Sequence, residues 1–174
     1  MTEKPSILAF DTYYFDGKAK TVCIEFTEWN QTENYKVHTE IIENVEEYIP
    51  GEFYRRELPC ILSLLNKIEN KNIEAIVVDS FVYLDDDKKF GLGGHLYENL
   101  NPKIPVIGVA KTNFASLNKD KKSLFRGDSQ KPLYITSIGI DLEDAFKKVE
   151  NMAGAFRFPT LLKELDRLSK ENTI

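Results

Sequence analysis

The sequence predicts an α/β fold, a mixed sheet flanked by helices, and two observations carry that prediction. Residues 6–42 hold three apolar or aromatic runs joined by short polar turns, the pattern of an antiparallel meander. From about residue 52 the rhythm changes to helix and buried strand in alternation, the pattern of crossovers onto parallel strands.

Each element has its own signal. SILAFDTYYF (6–15) is the first strand, and Asp16-Gly17 is a hairpin turn pair. TVCIEFTEW follows, then the polar loop NQTEN, then YKVHTEII with alternation. A helix begins near Glu52, with Phe53, Leu58, Ile61, Leu62, Leu64, Leu65 and Ile68 on one face. Pro59 inside it predicts a kink or a late start. IEAIVVD is a buried strand ending at Asp79, and the charged loop DDDKK leads through Phe90-Gly91-Leu92-Gly93-Gly94 into a short helix. IPVIGVA is another buried strand and PLYITS a further one, with helices over 141–152 and 160–171. The order β-β-β-α-β-α-β-α points to a ribonuclease H-like sheet, an antiparallel meander followed by parallel strands, and to a single domain over 1–174.

Composition narrows the class. Hydrophobic residues are 42% and charged residues 29% of the chain, a globular profile with no run long enough to span a bilayer. The N-terminus has no apolar stretch of the secretory kind, so a cytoplasmic protein is the default. Cys23 and Cys60 sit among apolar residues and read as buried thiols. A net charge of −5 argues against a surface that grips nucleic acid everywhere. Basic residues do gather between Lys111 and Lys131, where Lys119, Lys121 and Lys122 form either a nucleic-acid contact or a solvated loop.

The chemistry lies in the acids. Asp11 interrupts an apolar strand, and Asp79 closes another at its carboxyl end, where sites in open α/β sheets collect. First and fourth strands are neighbours in a ribonuclease H-like sheet, so these side chains meet. Their repulsion is relieved by a hard divalent cation with oxygen ligands. Glu57 on the first helix and Asp166 on the last, taken singly, read as ordinary solvated acids. All four together form a set able to hold Mg²⁺, with Mn²⁺ as a substitute, for in-line hydrolysis of a phosphodiester. Lys111, after IPVIGVA, falls on the same sheet edge, beside the developing phosphate charge, or is a surface lysine opening the basic loop.

The motifs around these residues resemble the endonuclease V family. Asp11-Thr12-Tyr13-Tyr14 matches its Asp-x-x-Tyr, and Tyr48-Ile49-Pro50-Gly51 leads to Phe53-Tyr54-Arg55-Arg56-Glu57 as in the family. Val78-Asp79 precedes Phe90-Gly91 and His95, and Gly108-Val109-Ala110-Lys111 is intact. PLYITS and FRFPTLLKELD resemble its last strand and closing helix. The resemblance implies a Mg²⁺-dependent endonuclease nicking DNA 3′ to a deaminated base (inosine). Asp11, Glu57, Asp79 and Lys111 would be catalytic, with Asp166 a fourth metal acid. Tyr48 to Gly51 would be a wedge beside the extruded base, with Ser80, Gly91, His95 and Gly108 around the substrate. Where the family commonly has Gly-His-Gly after the second aspartate, this chain has Ser80-Phe81-Val82. It also has Thr136 to Ile140 in place of Ser-Pro-Gly-His. These departures leave two alternatives: an endonuclease for RNA or a structured substrate, or a non-cleaving nucleic-acid-binding relative. Neither a membrane nor an obligate protein partner is expected.

Overall fold

A computed structural model describes residues 4–43 and 54–171. Seven strands and four helices follow the chain as β1 (Ser6–Phe15), β2 (Lys18–Phe26), β3 (Lys36–Ile42), α1 (Tyr54–Lys67), β4 (Ile73–Val78), α2 (Leu92–Glu98), β5 (Val106–Ala110), β6 (Lys122–Leu124), β7 (Leu133–Ile138), α3 (Leu142–Glu150) and α4 (Thr160–Lys170). They form one sheet of order β3-β2-β1-β4-β5-β7-β6. Strands β1 to β3 are the antiparallel meander, and β4 and β5 run parallel to β1. The fold is ribonuclease H-like.

The Asp16-Gly17 hairpin forms as its residues dictate. Both carry positive φ, 48° and 73°, the conformation of the tight turn whose twist matches the strands it joins. Alternation along β1 and β4 sorts side chains to two cores. Leu8, Phe10, Ile76 and Val78 pack with Ile61, Leu64 and Leu65 of α1 and Leu96 of α2. Ile7, Ala9, Ala75 and Val77 pack with Val149 of α3 and Leu161 and Leu165 of α4. Burial on both faces is why these central strands read as continuous apolar runs.

Two features depart from the expected pattern. β7 runs antiparallel to β5, so the second half of the sheet is not wholly parallel. Residues 122–124, inside the segment expected to be a basic loop, form β6 on the edge of β7. Pro59 is carried within α1. Cys23 and Cys60 are buried and free, as expected. Among the described residues no helix is long and apolar enough to cross a membrane.

Candidate active site

The register of β1 and β4 builds the site. Ala9 pairs with Val77 and Phe10 with Val78, so Asp11 and Asp79 are the next residues along two parallel neighbours. By alternation both project to the α4 side, where the two strands leave the core. There they line a cleft with Lys111, Phe158, Lys163 and Asp166. Lys111 follows β5 directly, and its Nζ lies 3.6 Å from Asp79 Oδ2 and 3.7 Å from Asp166 Oδ1. The same ammonium sits over the Phe158 ring, 4.8 Å from its centroid. Asp166 also pairs with Lys170 at 3.1 Å, one turn on.

Glu57 reaches the group from α1, on the opposite face of the sheet. It is buried, hydrogen-bonded to Thr12, and feels the charges of Asp11 and Asp79. Burial first, then those two charges, push its pKa from 4.5 up to about 8. Burial and then the Asp79 charge raise Asp11 to about 6, against the pull of a Ser169 hydrogen bond. Asp79 is raised too, by burial, while Lys111 draws it down. Three carboxyls on different elements therefore share one field and resist ionising together. Among the described residues, no three His, Cys, Asp or Glu side chains already form a group set to hold a metal ion. Positive charge reaches the acids from Lys111 and, at Asp166, from Lys170.

The last helix supplies residues whose roles sequence reasoning missed. Ser169 is wholly buried, and its Oγ lies 3.0 Å from Asp11 Oδ2 and 2.8 Å from the Asp166 carbonyl. Its signal was only a place one turn after Asp166. Lys20 of β2 donates to the carbonyls of Leu168 (2.8 Å) and Glu171 (2.5 Å), which fixes the carboxyl end of α4 against the sheet. Phe158, the seat of Lys111, lies just before α4 in the closing motif and carries no sequence signal of that role.

The remaining expected residues divide. Gly108 is pressed against the loop after β4. A Cβ there would lie 2.4 Å from the Ser80 carbonyl and 2.5 Å from Thr136 Oγ1. Gly91 is equally tight, 2.6 Å from the Phe81 carbonyl. Both glycines serve close backbone approach. His95 stacks on Tyr54, centroids 3.8 Å apart, and meets Phe90 edge-on, and burial lowers its pKa. Ser80, Phe81 and Val82 turn inward, with exposures of 7%, 7% and 0%. Phe81 packs with Ala110 and Leu117, and Val82 joins the α1–α2 core. Lys121 is bonded to Asn113 and to the Leu117 carbonyl, and Lys122 pairs with Glu143, while Lys119 stays exposed. The basic segment is thus partly spent on local structure. Tyr48, Ile49, Pro50 and Gly51 lie outside the described residues.

Comparison with known proteins converges. The family model for endonuclease V matches residues 2–137. The endonuclease V of Trichormus variabilis is 28% identical over 141 residues, covering 70% of this chain and 62% of that protein. This chain spans less than two thirds of the length of the curated relatives it matches. The crystal structure of endonuclease V from Streptomyces avermitilis superposes with a TM-score of 0.74 at 20% identity, over 96% of this chain and 80% of that one. The catalytic domain of human endonuclease V gives 0.73 at 20% identity, over 97% and 82%.

Proposed function

The chain belongs to the endonuclease V family, and on that premise we propose that it is a metal-dependent endonuclease hydrolysing a phosphodiester of nucleic acid, DNA in preference to RNA, on the 3′ side of a deaminated base such as inosine. The observation that carries the reading is the Asp11–Asp79 pair, set side by side by the β1–β4 register with Glu57 in its field. A divalent cation fits this donor set. The donors are hard carboxylate oxygens, and carboxyls held above their ordinary pKa by burial and then by each other's charge would ionise more readily with a dication among them.

Asp11, Glu57 and Asp79 would hold the ion, with Asp166 beside them, and Mn²⁺ would substitute for Mg²⁺. When bound, the ion supplies an activated water and a Lewis acid for the leaving 3′ oxygen. The chain's own groups do the rest. Ser169 holds Asp11 in one orientation, and Thr12 does the same for Glu57. Lys111, seated on Phe158, is poised between Asp79 and Asp166, from where its ammonium can turn to the negative charge that gathers on the phosphate. The alternative of altered specificity rested on bulk at Ser80 to Val82. That bulk is taken up by the core, which supports keeping the lesion-directed reading first.

The test is nicking of inosine-containing and undamaged single- and double-stranded DNA and RNA, with Mg²⁺, by the protein and its Asp79→Asn variant. Cleavage of inosine DNA that the variant loses is expected. Absence of cleavage on every substrate refutes the enzyme, and cleavage indifferent to inosine refutes the lesion preference. Cleavage of RNA alone transfers the site to the RNA reading.

A further inference from the structure

We infer that Phe156 is a stacking platform for an unpaired nucleobase at the mouth of the cleft, with Lys163 placed to hold the adjoining phosphate; the inference rests on the nucleic-acid reading above. Phe156 lies between α3 and α4 and is 69% exposed, the most exposed large hydrophobic side chain among the described residues. Leaving a phenyl ring in water forgoes the gain of burying it. Here the ring is not on a loose loop. Buried Arg126 donates to the Phe156 carbonyl at 2.9 Å and to the Met152 carbonyl at 2.6 Å. Gly127, at φ +59°, lets its backbone press against the same segment, where a Cβ would fall 2.4 Å from the Ala155 carbonyl. The fold therefore fixes the backbone beneath an outward-facing ring.

Its surroundings choose the partner. Lys163 Nζ lies 5.1 Å from the Phe156 centroid, and Lys163 also lines the cleft that holds Asp11, Asp79 and Asp166. Inward from it, Lys111 sits over Phe158. Rings and ammonium groups thus alternate from the surface toward the carboxyls, Phe156, Lys163, Phe158, Lys111. That alternation matches a single strand, whose bases stack on aromatic faces while its phosphates meet cations. A duplex hides its base faces in its own stack, and an apolar protein partner has no use for the cations. Phe125, next to Arg126 in the chain, is a second exposed ring, at 63%.

The test is fluorescence anisotropy of a labelled oligo-dT and of a blunt duplex, in EDTA, with wild type, Phe156→Ala and Phe156→Trp. Phe156→Ala is expected to weaken the single strand about 5- to 150-fold and leave the duplex unchanged. Phe156→Trp should restore affinity, and its emission should quench on binding. The single native tryptophan, Trp29, is packed edge-on against Phe26 and bonded to Glu74, so wild-type emission is the control. Steady-state nicking should show a raised KM at unchanged kcat. Equal loss for both nucleic acids, no loss, or an unquenched tryptophan overturns the inference. So does a dimer, seen by sedimentation, that Phe156→Ala dissolves while oligonucleotide binding stays intact. A wild type that nicks while Phe156→Ala binds normally refutes the platform alone. A wild type that neither binds nor nicks refutes the nuclease reading with it.

Discussion

Replacing Glu57 with Gln should make the protein more stable and less active at once. Burial and the charges of Asp11 and Asp79 hold this carboxyl at about 8 in the folded chain, against 4.5 as its ordinary value. A group with a raised folded pKa contributes stability that is full below the unfolded value and is lost as pH climbs through the folded one. For Glu57 the loss therefore begins near pH 4.5 and is complete a little above pH 8. At pH 7 it amounts to about 3 kcal/mol. Gln stays neutral and can still accept from Thr12, so Glu57→Gln should gain about 2–3 kcal/mol at pH 7. That corresponds to about 4–12 °C in Tm for a chain of this size. Thermal melts from pH 4.5 to 8.5 without divalent metal read this directly. The two proteins should melt alike at the acid end and diverge as pH rises. Added Mg²⁺ should raise the wild-type Tm at pH 8 and leave the variant unmoved, while nicking falls about 100-fold or more. A variant that melts below wild type at pH 7, or by a margin independent of pH, would refute the electrostatic account.

Ser169→Ala removes the hydroxyl beside Asp11 and should cost about 1–2 kcal/mol of stability. Because that bond holds the Asp11 pKa down, the acid limb of the pH–rate profile should move to higher pH, which a kcat/KM titration would show. Gly108→Ala drives a methyl against the Ser80 carbonyl, so about 1–3 kcal/mol should be lost in a denaturant melt, with reduced Mg²⁺ affinity as the chain beyond Asp79 shifts. Arg126→Met leaves the carbonyls of Phe156 and Met152 without their donor. It should lower Tm by about 6–12 °C, a loss of about 3 kcal/mol.

The acids differ in how plainly the sequence announced them. Asp11 and Asp79 stood out because a charge inside or at the end of an apolar strand has to be explained, and the β1–β4 register then brought them together. Glu57 carried no such signal, since an acid on a helix is unremarkable, and only the surrounding motif marked it. Ser169 was silent for the same reason. The edge strand β6, three residues long, is too short to display a period. The fate of Ser80 to Val82 depends on how the chain turns after β4, which composition does not encode. Counting lysines between 111 and 131 could not reveal that Lys121 and Lys122 already have local partners.

The Ser169–Asp11 hydrogen bond joins residues 158 apart. The central strands can pair and bury the face they turn to α1 while α4 is still undocked, but in that state the opposite face lacks Leu161 and Leu165, Asp11 lacks its donor, and Asp166 is absent from the cleft. Assembly of the site therefore depends on the seating of one helix. The Lys20 contacts to Leu168 and Glu171 favour that seating. A molecule whose sheet is formed can still lack an assembled site, and hydrogen exchange along α4 would count such molecules.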